Sequence, residues 1–366
     1  MEGPTPHTVL AVGDEPDFLE RLSHLLGSKG FRPVCRQAAN ALRPEDGVIH
    51  AGILDVFSTG GPEGLELCQD LRRRCPDTSL ILASPFFNNR TWRQTAAASG
   101  ADCFFNKAWP LELLVSDVRY ALECHKPTLA TGRILPAGAP KAVVADDDPE
   151  WRKLICLELE LAGYLPYEAD TGRRALLAIG RLRPDVAILD YLMPDFSGPE
   201  CLEYIHKNPR MHRVPVIIMT DYKGLELEER CMSLGANDFV LKERGARVLL
   251  LRVLKSRTRR AHWPTDPLKA GPFYLDPQSR MLLADGHRLP DLSPGEFDLM
   301  SILLENNGKI VPWEDVERRL HGGVAAHGAS ATPSAKMTIS RLKEKLGRKY
   351  EECVVTRALS RLMWKN

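Results

Sequence analysis

The sequence predicts two doubly wound α/β domains, each built on a parallel sheet, followed by a smaller α+β domain. Three observations predict this. Short apolar runs alternate with amphipathic stretches through the first two thirds of the chain, the pattern of a parallel sheet covered by helices. That alternation occurs twice, with chemistry-bearing residues at one spacing. Two aperiodic stretches rich in Pro, Gly or charge separate three segments of different character.

The first copy is carried by "TVLAVGDEPDF", "AGILDV", "SLILASPF" and "ADCFFNKAWP", the second by "KAVVADDDPEW", "VAILDYLMPDFSG", "PVIIMTDY" and "ANDFVLKER". Asp14 to Asp147 is 133 residues, Asp55 to Asp190 is 135, Ser84 to Thr220 is 136 and Lys107 to Lys242 is 135. Four polar residues recurring at nearly one offset make the copies repeats of one domain. "CHKPTLATGRILPAGAPK" links them, and "RTRRAHWPTDPLKAGP" precedes the last segment. The expected division is 1–125 and 141–257 for the repeats, 271–366 for the last domain, and 126–140 and 258–270 for the linkers.

Composition narrows the class. The chain has 366 residues, with Lys+Arg 49 against Asp+Glu 48 and a net charge of +1, so any nucleic-acid surface must be local. Nine cysteines, an odd count without C-x-x-C spacing, suit reduced thiols rather than a disulfide frame or zinc site. The N-terminus is acidic, and nowhere do about 18 apolar residues run together. A cytoplasmic protein without membrane association is expected.

The polar residues of each repeat fall at the carboxyl ends of strands, where open α/β sheets place their ligand crevice. Asp146, Asp147 and Asp190 would gather there, with Thr220 and Lys242 beside them. Clustered carboxylates repel and suit a hard divalent cation such as Mg²⁺. With the charge so offset, Asp190 could act as a nucleophile toward a phosphoryl group. Singly, each residue has an ordinary explanation: an Asp as helix cap, a Thr as strand former, a Lys as solvated surface.

In order and at this spacing, these residues resemble the flavodoxin-like receiver domains of bacterial two-component response regulators, over nearly all of both copies, which implies a doubly wound five-stranded parallel sheet in each. The resemblance implies that Asp190 is the phosphoacceptor and that Asp146, Asp147, Asp190 and the Leu192 carbonyl bind Mg²⁺. It makes Thr220 and Lys242 the switch and phosphoryl-binding residues and Phe239 the aromatic that changes rotamer. Glu243 stands where the family has proline, and Asp221 where it has a small residue. In the first copy Asp14, Asp55, Ser84, Phe104 and Lys107 occupy the matching positions. Gly13 replaces the first acid, so metal affinity should fall. That copy is expected to be phosphorylated poorly or to serve mainly as a docking surface.

In the last segment, "LSPGEFDLMSILLENNGKIVPWEDVERRL", then "ISRLKEKLG" and a terminal strand pair, resembles the winged helix-turn-helix of OmpR/PhoB-type regulators. Thr332 and Pro333 suit the start of a basic amphipathic helix over 334–346. The resemblance places Lys336, Met337, Thr338, Ser340, Arg341 and Lys343 on the DNA-facing helix and Arg357 on the wing. Ala358, Ser360 and Arg361 replace the wing's usual glycines and tyrosine. The implied partners are a sensor histidine kinase, double-stranded DNA, RNA polymerase and a second copy of the chain, paired through Asp238, Glu243, Arg247 and Arg252. The protein would be a phosphorylation-controlled transcriptional regulator and not a turnover enzyme. The alternative is a phosphorylation-independent adaptor using the same domains as protein-binding surfaces.

Overall fold

The computed structural model describes residues 6–37, 48–57, 63–87, 89–124, 126–133, 135–261, 264, 266–277, 281–290, 292–306, 309–321, 333–348, 354–357 and 361–364. Its contacts divide the chain into two units, residues 1–214 and 215–366.

The first α/β domain runs β1 (Thr8–Val12), α1 (Pro16–Ser28), β2 (Arg32–Arg36), β3 (Ala51–Asp55), α2 (Glu63–Arg74), β4 (Ser79–Ser84), α3 (Arg90–Ala98), β5 (Cys103–Asn106) and α4 (Leu111–Glu123). Its parallel sheet has the order β2-β1-β3-β4-β5. Every residue of β1, β3, β4 and β5 is buried. That is why these strands read as continuous apolar runs instead of alternating: helices cover both faces. Pro16 opens α1, and the Asn89 side chain caps α3 by accepting from the Thr91 N–H.

The second α/β domain repeats this order with β6 (Lys141–Ala145), α5 (Pro149–Leu161), β7 (Leu165–Ala169), α6 (Gly172–Leu182), β8 (Val186–Asp190), α7 (Gly198–Lys207), β9 (Val216–Thr220), α8 (Leu225–Ser233), β10 (Asp238–Leu241) and α9 (Ala246–Ala261). Its sheet order, β10-β9-β8-β6-β7, is the first sheet's read from the other edge. The chain therefore contains two flavodoxin-like parallel sheets of five strands. The stretch joining them is tied down: Thr128 N–H donates to the Pro166 carbonyl at 2.8 Å, and Ala130 N–H to Glu160 at 2.7 Å.

Within the first unit, α3, β5 and α4 of the first domain pack on α6 and α7 of the second. Gly180 on α6 permits the approach, since a Cβ there would come within 2.4 Å of Asp102 Oδ1.

The last domain lies in the second unit. A four-stranded antiparallel sheet, β11 (Leu268–Ala270), β12 (Phe273–Asp276), β13 (Met281–Ala284) and β14 (His287–Arg288), precedes α10 (Pro294–Asn306), β15 (Ile310–Pro312), α11 (Trp313–His321) and α12 (Pro333–Leu346). β16 (Val354–Arg357) and β17 (Arg361–Trp364) pair antiparallel, and β17 also pairs with β15. Phe273, Leu275, Phe297, Leu303, Val316 and Leu342 meet in one apolar cluster. Residues 358 and 360, where the wing departs from the family pattern, and the loop before α12 lie outside the described residues.

Candidate functional site

The acidic cluster of the second α/β domain is built by two strand ends. Asp146 and Asp147 directly follow β6, and Asp190 ends β8. β6 and β8 are parallel neighbours with Ala145 opposite Leu189, so their carboxyl ends open at one level. One carboxylate oxygen from each of Asp146, Asp147 and Asp190 lies within 4.8 Å of the others. Asp146 is 0% and Asp190 6% exposed, whereas Asp147 faces solvent. Three hard anionic donors at this spacing fit a divalent cation that keeps some of its waters, as Mg²⁺ does. Leu192 lies in the loop after Asp190 with its side chain exposed.

The third carboxylate of "ADDDPE" has a different task. Asp148 caps α5, accepting from the Glu150 and Trp151 N–H groups at 2.9 and 3.4 Å, with Pro149 in the first turn. The Asp-Pro pair is a legible cap signal, and the run of acids conceals it. Arg152 also reaches back from α5, donating to the Asp146 carbonyl at 2.6 Å.

Thr220 and Lys242 belong to the second unit. Thr220 ends β9, is 1% exposed, and its hydroxyl accepts from the Tyr222 N–H at 3.1 Å. Leu241 of β10 lies opposite Thr220, so Lys242 stands one residue past the level of that threonine. The Lys242 ammonium is 3.9 Å from Asp221. Glu243 pairs with Lys223 at 2.6 Å, and Phe239 on β10 is half-buried. Of the expected pairing residues, Asp238 and Arg252 contact each other at 3.3 Å.

The corresponding place in the first α/β domain is arranged differently. Lys107 contacts Asp55 directly and Glu15 at 2.8 Å, and its ammonium lies 4.8 Å from the centre of the Phe18 ring. Burial raises the Asp55 carboxyl above its usual value, with Lys107 opposing that shift. Gly13 sits against this pair: a Cβ there would be 3.1 Å from the Asp55 Cβ. Asp14 is half-buried, Ser84 is 0% exposed and accepts from the Phe86 N–H, and Phe104 is 1% exposed. Among the described residues only the second domain gathers three possible metal ligands. The Glu15 contact was hidden from sequence reading, because the offsets between the copies select only matching residues.

On α12, Lys336 and Ser340 are exposed, Met337 and Lys343 half-buried, and Thr338 buried. The Arg341 side chain is 16% exposed and 3.8 Å from Glu296, which Lys345 also meets at 2.6 Å. Helix α12 packs on α8 as well as on α10 and α11. Arg357 stands at the end of β16, opposite Arg361.

Known proteins match parts of this chain. The family profile of the response regulator receiver domain matches residues 142–254. The phosphate regulon transcriptional regulatory protein PhoB of Pseudomonas aeruginosa is 27% identical over 217 residues, 58% of this chain and 92% of that protein. The probable transcriptional regulatory protein TcrX of Mycobacterium tuberculosis is 30% identical over 183 residues, 48% of this chain and 75% of that protein. The chain belongs to the response regulator family. A mutant form of RitR shares the fold, with a TM-score of 0.52 at 17% identity over 62% of this chain and all of that one. As a response regulator, the chain is part of a two-component system of transcription regulation, and its relatives are not turnover enzymes. Among the described residues, no helix of this response regulator is long and apolar enough to cross a membrane.

Proposed function

We propose that this response regulator is a DNA-binding transcription factor with tandem receivers, controlled by phosphorylation of Asp190. The observation that carries the reading is the convergence of Asp146, Asp147 and Asp190 at the carboxyl end of one sheet. Mg²⁺ held by those three residues and the Leu192 carbonyl would neutralise charge on the incoming phosphoryl group. An Asp190 carboxylate oxygen forms the new bond to phosphorus as the bond to the imidazole nitrogen of a kinase phosphohistidine breaks, leaving neutral histidine after protonation. Lys242 supplies a cation and Thr220 a hydroxyl to the transferred group. Phe239 follows Thr220 in the switch.

Output runs through the last domain, read here as a winged helix-turn-helix. Lys336, Ser340 and Lys343 meet phosphates and base edges from α12, and Arg357 acts on the wing. Helix α12 packs on α8 of the second α/β domain, which supports phosphorylation-dependent control of the output helix. Pairing of two chains on adjacent half-sites, and contact with RNA polymerase, complete the reading.

A mobility shift tests it. Acetyl phosphate should strengthen salt-dependent binding of the full chain to its DNA, and Asp190→Ala should abolish the gain. An adaptor, the reading favoured by the closed Lys107–Asp55 pair, would show no salt-dependent DNA binding with or without the donor.

A further inference from the structure

The loop that follows Asp190 is held by the other α/β domain. Five residues beyond the phosphoacceptor, Asp195 takes a left-handed φ of 68°. One of its oxygens accepts from the Arg173 and Phe196 N–H groups at 3.3 and 2.6 Å, and the other lies 3.4 Å from the Arg173 guanidinium. Arg173 in turn donates to Asp117 of the first domain at 2.7 Å, and both side chains are 6% exposed. The next residue of the loop, Phe196, is 4% exposed. Its ring centre lies 4.4 Å from that of Phe104 and 6.2 Å from that of Trp109, both in the first domain. The Arg173 guanidinium sits 4.7 Å from the centre of the Trp109 ring, closing the arrangement. Two separate contacts, one ionic and one aromatic, therefore fix a single short loop from outside its own domain.

We propose that Asp117 and Trp109 are positioning residues for the Asp190 site, so that loading of that site and packing of the first domain on residues 191–198 form one coupled equilibrium. The inference rests on the reading of Asp190 as phosphoacceptor and Leu192 as a carbonyl ligand. The physical argument is preorganisation. Gly198 N–H donates to the Tyr191 carbonyl at 3.0 Å, which ties the far end of the loop to its start. A loop fixed at residues 195 and 196 holds the Leu192 carbonyl in place before the cation arrives, and binding then costs less ordering. Coupling is reciprocal, so a change at Asp190 must reach Trp109. The first domain thereby has a role that needs no phosphorylation of Asp55.

The experiment uses the full chain, with Mg²⁺ alone and then with acetyl phosphate. Asp117→Asn keeps the shape of the side chain and removes the charge that holds Arg173. It is expected to raise the Mg²⁺ dissociation constant about five-fold or more and to slow phosphorylation of Asp190. In the unaltered chain, phosphorylation should change the part of the tryptophan emission that Trp109→Phe removes, and Asp190→Ala should silence that change. A merely structural contact would not produce this signal, and reading it requires no folded Asp117 variant. If Asp190 is phosphorylated while Trp109 stays silent and Asp117→Asn keeps wild-type Mg²⁺ affinity, the coupling is refuted and the phosphoacceptor reading stands. If intact mass shows no phosphoryl group on Asp190, the phosphoacceptor reading falls, and the coupling falls with it.

Discussion

Arg173 and Asp117 form a 2.7 Å ion pair between the two α/β domains, with each side chain only 6% exposed. Burial works against the guanidinium charge, but Asp117 and Asp195 hold it protonated. Removing Asp117 leaves the buried Arg173 with Asp195 alone, 3.4 Å away, so the cost stays below the roughly 3–5 kcal/mol of a buried charge left wholly unpaired. Asp117→Ala should therefore bring on unfolding of the first unit at lower urea, followed by far-ultraviolet circular dichroism. An unchanged midpoint would mean that the pair adds nothing to the packing of the domains.

Metal binding should be confined to the second domain. Titration with Mg²⁺ followed by calorimetry is expected to give one site per chain, lost in Asp147→Ala and retained in Asp14→Ala. The physical reason is that Lys107 already contacts Asp55, and Gly13 offers no carboxylate. Two sites of equal affinity would contradict that asymmetry.

The last domain should lose stability in acid through Glu296. Burial alone would raise this carboxyl, but Lys345, Arg341 and the Ser293 N–H together hold it below its ordinary 4.5. A depressed acid binds fewer protons folded than unfolded. Its contribution is complete above pH 4.5 and is lost as pH falls through the lower folded value. Glu296→Gln should flatten that part of the acid limb and lower stability at pH 7, measured by thermal melts of the full chain.

The basic helix should divide into two kinds of residue. Lys336→Ala is expected to weaken DNA binding uniformly across sequences and to reduce the salt slope by about 1. Arg341→Ala should act mainly on stability, because Arg341 packs against the buried Glu296 and is 16% exposed. Loss of discrimination between DNA sites in Arg341→Ala without loss of stability would reverse that assignment.

The repeated sheet and the acidic cluster were legible in the sequence for one physical reason. Parallel strands buried on both faces read as apolar runs, and a polar residue ending such a run marks the crevice. Asp146, Asp147 and Asp190 each stand at such an end. What was not legible came from contacts between segments far apart in the chain. Nothing in "GRRALLAIG" shows that Arg173 meets Asp117, 56 residues earlier, or that Gly180 leaves room for Asp102. Helical spacing in α12 separated its inner positions, Met337 or Thr338 among them, from its basic ones, and Thr338 is buried, yet Arg341 turns toward Glu296. The 3.6-residue period locates a helix's inner face, but not what packs on its flanks.

The phosphoacceptor assignment is tested most directly by intact mass after incubating the chain with Mg²⁺ and acetyl phosphate. Expected is a single phosphoryl group on the wild type and on Asp55→Ala, and none on Asp190→Ala. A phosphoryl group that survives Asp190→Ala, or a wild type that takes none, would contradict the central role of Asp190.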